Sequence, residues 1–374
     1  MEEERMKKIA LVLILALACV FVVSAEMSLT GEFDYGFMAA DQDTGDDFAG
    51  LFDKIELDFA VTMDDYNTFK VEIEDKDTTN DLTTYDLGLG YAEIVTDWGA
   101  QLGLPVGIVS TVGYDGFSIG DDFAITGWEL EDLGGIELPK EGAGQVAIMP
   151  NDMITLLLAG NFDVDVDDDL AILVGGTFQN DALGVTVGYI TSDTDYAHSM
   201  FYTEAKYEMD LANGMGLGFS GSFLYDADHD DALMASDAVN QESQYAFGVF
   251  YTVAAAGLGV SFDGNEDDAI SKLGLDATYA LTDALSADVG TIFFLGDTDD
   301  SIVYDDTFLG FDVSATYSVG NVSYTLGYLY SDGYSGSANY NAVADFGDHE
   351  YVEATDEYTD NGQGGVYFNV KVDF

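Results

Sequence analysis

Arginine occurs once in this 374-residue chain, at Arg5, and cysteine once, at Cys19. Both fall in an N-terminal stretch that reads as a cleavable export signal. Lys7 and Lys8 lead into an apolar run from Ile9 to Val23, and Val23-Ser24-Ala25 supplies the small residues behind which a signal peptidase cuts. Cleavage between Ala25 and Glu26 leaves residues 26–374 without cysteine or arginine, which excludes disulfides, zinc-thiolate centres and cysteine nucleophiles. Met6-Lys7-Lys8 is a more ordinary beginning for such a signal than the acidic Glu2 to Glu4. Leu17-Ala18-Cys19 also resembles a lipobox, but the residues after Cys19 stay apolar where a lipid-anchored chain turns polar.

Basic charge is scarce throughout: 10 Lys and Arg stand against 71 Asp and Glu, a net charge of −61, and residues 1–25 carry three of each sign. Binding to nucleic acid or anionic headgroups needs clustered Lys or Arg and is excluded; cations, monovalent or divalent, are the natural partners. Only 3 prolines are present, and beyond residue 25 no apolar run approaches the ~20 residues of a membrane-spanning helix. Any passage through a membrane must therefore use strands.

The chain is rich in alternation instead. Met27, Leu29, Phe33, Tyr35 and Phe37 share one parity, and Ser28, Thr30, Glu32 and Asp34 the other. Leu51, Ile55, Leu57, Phe59 and Val61 oppose Lys54, Glu56 and Asp58, and Phe69, Val71 and Ile73 oppose Lys70, Glu72 and Glu74. The pattern returns at Met215 to Tyr225, Tyr245 to Tyr251, Leu309 to Tyr317 and Val322 to Tyr330. Successive side chains of a strand point to opposite faces, so this spacing separates lipid from a wet lumen. A soluble β-sandwich alternates too, but about 18 such segments with few prolines favour one large barrel.

Connection lengths also alternate. Counting back from the C-terminus, Ser335 to Asn361 lies in a long loop, Gly320 in a turn, Gly296 to Asp305 in a loop, and Thr282-Asp283 in a turn. Asp226 to Gln241 is then a loop, and Asn213-Gly214 and Pro150-Asn151-Asp152 are turns. This phase makes the weakly alternating stretch Ala143 to Met149 a strand and places the mature N-terminus at the short-turn side. The expected fold is an all-β, antiparallel transmembrane β-barrel of 18 strands, with 16 as the alternative.

Parity assigns a lumen. Lys54, Lys70, Lys206, Lys272 and Lys371 fall on polar faces beside Glu56, Asp58, Glu72, Glu74, Glu204, Glu208, Asp276 and Asp373. Singly these pairs read as ion pairs of the wall; together the carboxylates predominate, which favours cations. The third long loop, residues 115–142, is about 28 residues long and carries Asp121, Asp122, Glu129, Glu131 and Asp132; it either narrows the channel or lies outside it. The longest loop spans 332–363, with Tyr334, Tyr340, Tyr351 and Tyr358.

Other readings are weaker. Acidic runs such as Asp41 to Asp47 and Asp226 to Asp231 suit life in high salt or loop-bridging divalent ions. Asp163, Asp165 and Asp167 have calcium-loop spacing, but Val174 stands where the bidentate glutamate belongs, so no metal site is expected. His198, His229 and His349 lie among dense carboxylates, and their acidic neighbours point to no enzyme. Gly88 and Gly90 sit in an alternating strand, so no phosphate loop and no cofactor are expected.

The C-terminal Gly365-Val366-Tyr367-Phe368-Asn369-Val370-Lys371-Val372-Asp373-Phe374 resembles the aromatic-terminated last strand of bacterial outer-membrane barrels. Leu102 to Tyr114 resembles the opening of a strand in spirochaete porin-like outer-membrane proteins. The resemblance implies a location in the bacterial outer membrane, outer-membrane lipid as surroundings, and reading of Phe368 and Phe374, with Tyr367, by the barrel-assembly machinery. A homotrimer is left open. General porins fold a third loop into the pore opposite a ladder of arginines; that ladder is missing here. The implied function is a water-filled, cation-preferring channel for passive diffusion of ions and small hydrophilic solutes. The alternative is a barrel scaffold whose surface loops act in adhesion or ligand binding.

Overall fold

Alternating segments of 8 to 14 residues become strands because their apolar and polar side chains can then separate onto two faces. The computed structural model describes residues 27–40, 49–75, 87–115, 117–120, 136–138, 141–161, 171–191, 199–211, 213–226, 243–265, 272–295, 308–331 and 363–373. The expected signal with its Ala25 and Glu26 junction, Asp121, Asp122, Glu129, Glu131, Asp132, the Asp163 to Asp167 run, the three histidines, residues 332–362 and Phe374 lie outside these.

The strands are β1 (Met27–Ala40), β2 (Ala49–Thr62), β3 (Asn67–Asp75), β4 (Leu87–Asp97), β5 (Gly107–Asp115), β6 (Ser118–Ile119), β7 (Ile136–Glu137), β8 (Glu141–Asn151), β9 (Ile154–Asn161) and β10 (Ile172–Gln179). They continue with β11 (Leu183–Thr191), β12 (Met200–Leu211), β13 (Met215–Asp226), β14 (Ser243–Val253), β15 (Ala256–Asn265), β16 (Lys272–Thr282), β17 (Leu285–Phe294), β18 (Phe308–Val319), β19 (Val322–Ser331) and β20 (Gln363–Asp373). Setting aside β6 and β7, which pair only with each other, each strand pairs antiparallel with the next, and β20 returns to β1 through Glu32↔Asp373 to Ala40↔Gly365. The result is a closed barrel of 18 strands, as the alternation and loop phase predict. Closure removes the sheet edges that neither lipid nor self-association would tolerate.

One rim carries the short connections. Asn213 and Gly214 have φ of 69° and 72°, the left-handed pair that a two-residue hairpin of matching twist requires. Elsewhere a side chain ties the turn: Asn151 accepts from Met153 N at 2.9 Å, and Asn180 from Ala182 N and Leu183 N at 2.9 Å. The expected turns are displaced by a residue: β8 runs to Asn151 and β16 to Thr282, so the turns are Asp152-Met153 and Asp283-Ala284. Between β4 and β5 lies a short helix, α1 (Trp98–Leu102), capped by Asp97, whose carboxylate accepts from Ala100 N at 2.9 Å. The resemblance over Leu102 to Tyr114 thus falls on this connection and on β5.

The outer face is an apolar belt. Across neighbouring strands Tyr251, Leu258, Ala277, Val289, Val313, Tyr328 and Val366 stand directly opposite one another. Leu258, Val289, Val313, Tyr328 and Val366 are 40% to 53% exposed. Large apolar side chains left uncovered in a continuous row are what hydrocarbon solvates and water does not.

The apolar core is not at the barrel's centre. It forms where residues 117–119 and 136–138 come inside as a two-stranded ribbon, held by Ser118↔Glu137, Ile119↔Ile136 and Leu138 N to Phe117 O at 2.8 Å. Phe117, Ile119, Ile136 and Leu138 are buried against Ala143, Ala159, Leu173, Ile190, Tyr202 and Leu224 of the wall. This explains the weak alternation of β8: its inner Ala143 is covered by apolar groups, while outer Val146 and Ile148 are exposed.

Two expectations follow. Val260, mid-strand on the outer belt, when changed to Arg should lower stability by about 2–4 kcal/mol in lipid vesicles, read from urea unfolding. In the β2–β3 turn Asp64 accepts from Tyr66 N at 2.8 Å and from Asn67 N and Nδ2 at 2.9 Å. The backbone bond from Tyr66, then the Asn67 side chain, hold its carboxyl below the ordinary range. Its contribution is therefore complete above the unfolded-state pKa and lost as pH falls through the depressed value. Unfolding midpoints of Asp64→Ala and wild type should differ at neutral pH and converge in acid.

Candidate functional site

The inner face of β1 to β4 gathers carboxylates because the register leaves no alternative. Glu32 stands opposite Glu56 and Glu56 opposite Glu74, while Asp58 stands opposite Glu72 in the next row. One oxygen each of Glu56, Asp58 and Glu72 lies within 4.8 Å of the others, and these are the residues among those described that could hold a cation jointly. Like charges so close repel across a sheet, and water, cations or hydrogen-bond donors must compensate. One donor is Tyr91, whose hydroxyl gives a 2.7 Å bond to Asp58 Oδ1. A glycine makes the space: a Cβ at Gly90 would collide with the Glu72 carboxylate. Close packing against Glu72 accounts for this glycine.

Three of the lysines lie against carboxylates. Lys70 Nζ lies 2.9 Å from Glu93 Oε1, Lys371 Nζ 2.9 Å from Glu32 Oε1, and Lys206 Nζ 2.8 Å from Glu208 Oε1. Lys54 and Lys272 occupy positions opposite Asp34 and Asp263, on the same parity as the acidic residues.

A second acidic sector lies on β16 to β20. Asp276 covers Gly259, Ser286 Oγ donates to Asp288 Oδ2 at 3.3 Å, and Tyr367 hydrogen-bonds Asp312. The Tyr367 ring lies over Gly327, so it turns inward while its neighbours Val366 and Phe368 stay on the outer belt. On β12, Tyr202 donates to Glu204 at 3.1 Å. Glu204 and Asp276 are 5% and 6% exposed, shielded by neighbouring side chains, whereas Glu56, Asp58, Glu72 and Glu74 are half-buried.

The structure therefore joins Glu56, Asp58, Glu72 and Glu74 with Lys70 into one sector with Lys371 nearby, and leaves Glu204, Lys206, Glu208 and Asp276 elsewhere on the wall. Sequence reasoning did not single out Glu93, Asp288, Asp312, Tyr91 or the ribbon. Asp312 was accessible by the parity rule, since it sits between Phe311 and Val313. Glu93 was concealed by a bulge at Val71/Ile73 that shifts the register of β3 on β4. The ribbon's signal was a pair of apolar-polar-apolar triplets, Phe117-Ser118-Ile119 and Ile136-Glu137-Leu138, inside a loop.

Lys70→Met should leave the Glu93 carboxylate, 7% exposed, without its ammonium and destabilise the barrel by about 1–3 kcal/mol. Adding Glu93→Gln should restore most of the loss, as measured by a double-mutant cycle in urea.

No family model matches the chain, and no curated protein matches it. Solved structures do. A five-fold substituted variant of the Rhodopseudomonas blastica porin aligns at 14% identity with a TM-score of 0.51, and a three-fold variant of the same porin at 13% with 0.51. An engineered protein from work on asymmetric conductivity aligns at 13% identity, also with 0.51. Each alignment covers 93% of this chain and 100% of the other. At such identity the likeness is one of fold: this chain has a porin-like closed β-barrel.

Proposed function

We propose that the protein is an outer-membrane porin, a water-filled and cation-preferring channel for passive diffusion of ions and small hydrophilic solutes. The observation that carries this reading is the convergence of Glu56, Asp58 and Glu72 on the inner face of a closed barrel. Beyond Arg5 the sequence has no arginine to balance them. Acidic side chains in a pore wall concentrate cations and repel anions. A barrel of 18 strands is wide enough for an aqueous lumen. The porin-like fold supports the channel reading over catalysis.

The rest of the proposal follows the sequence. Residues 1–25 direct export and are removed between Ala25 and Glu26, residues 26–374 form a single barrel, and Phe368 and Phe374 serve assembly. Residues 115–142, with Asp121, Asp122, Glu129, Glu131 and Asp132, act as a constriction loop. The pore wall includes Lys54, Lys70, Lys206, Lys272, Lys371 and the carboxylates beside them.

Reversal potentials in a planar bilayer under a KCl gradient should show cation preference. Glu56→Gln, Asp58→Asn and Glu72→Gln together should reduce it without closing the channel. A wild-type preference for anions would overturn the reading.

A further inference from the structure

The ribbon of β6 and β7 rests on an unusual piece of wall. Gly175 of β10 and Gly188 of β11 stand directly opposite each other, on the inner face, between outward Val174, Val187 and Tyr189. Glycine weakens a strand interior, so an opposed pair marks a place where something approaches closely. Here it is the ribbon. A Cβ on Gly175 would collide with Ile119 Cδ1, and one on Gly188 with Ile119 Cγ2, while Ile136 Cδ1 and Cγ1 would lie at 3.0 and 3.4 Å. The ribbon shows its apolar side to this seat, Ile119 and Ile136 being 6% and 1% exposed, and turns Ser118 to the lumen.

We propose that Gly175 and Gly188 are positioning residues that seat the ribbon through Ile119 and Ile136 and thereby fix the bore of the channel. The inference rests on the channel reading above. In a ring of 18 strands β11 lies half a circuit from β20 and β12 half a circuit from β1. The ribbon therefore takes up lumen from its own side and leaves the free cross-section towards β19, β20 and β1, where the acidic wall of β1 to β3 begins. Solutes are forced past the carboxylates. An apolar clamp does this without charge, so its hold is insensitive to the ionic strength that screens the wall.

The test uses the full chain folded into planar bilayers. Ile119→Ala with Ile136→Ala weakens the clamp from the ribbon side and leaves the wall intact; Gly188→Val fills the seat. The alanine variant should shift the unit conductance to a larger value and weaken cation preference, whereas Gly188→Val, which pushes the ribbon off its seat into the lumen, should shift it to a smaller one. In a Cys19→Ser background, Ile119→Cys with Gly188→Cys should cross-link on oxidation and retain the wild-type conductance. Failure of that pair to cross-link in the folded barrel overturns the seat. Cross-linking with conductance unchanged in the alanine variant shows a seated ribbon that does not set the bore, and also overturns the proposal. If Gly188→Val does not fold, the alanine variant decides. A wild-type barrel that carries no current instead overturns the channel reading itself, and the role in setting the bore falls with it.

Discussion

The backbone hydrogen-bond ladder, and its need to close, governs everything else in this protein. Hydrocarbon offers no partner to an N–H or C=O group, so a strand is admissible there only when both its sides are paired. The pairing of β20 with β1 meets that demand for the last two strands. Once the ladder is closed, period-two geometry leaves each side chain only the belt or the lumen. The belt can be monotonous because lipid asks only for apolar surface. The lumen cannot, and there the sequence varies: acidic on β1 to β3, tyrosine over glycine at Tyr367 and Gly327, apolar where the ribbon lies.

Charge in the lumen is organised by shortage. Three lysines of the wall are each engaged by a carboxylate, in the pairs Lys70–Glu93, Lys206–Glu208 and Lys371–Glu32. The lysines thus act mainly as wall fasteners, and ion pairs of this partly exposed kind contribute modestly to stability. The larger effect is on the field. Where lysines are engaged in this way, the sign of the field along β1 to β3 is set by the carboxylates that outnumber them.

Most of the architecture was legible because it rests on local periodicity. Lys54-Ile55-Glu56-Leu57-Asp58 states its two faces in five residues, and the turn at Asn213-Gly214 states its backbone. The strand from Ala143 to Met149 was recoverable only through the phase of its neighbours, because its inner side meets the ribbon and not water. What was illegible depends on distant residues meeting. Nothing near Gly188 announces Ile119, some 70 positions earlier, and a bulge at Val71 reassigned Glu93 without leaving a local mark. Parity predicts a face, while contact within that face needs register, and one inserted residue changes register for everything after it.

The short-turn rim holds both described ends of the ladder: Met27 pairs with Val61 beside the β2–β3 turn, and Asp373 N bonds Asn321 O in the β18–β19 turn. Since β1 and β20 are antiparallel neighbours, the barrel is topologically a ring interrupted at one hairpin. The gap between Met27 and Asp373 is then equivalent in kind to the turns at Asn213-Gly214 or Gly320-Asn321, and a linker closing it would let the chain begin at either of those turns. Chain order in this barrel is a convention of where the gene starts, while neighbour order is the physical property.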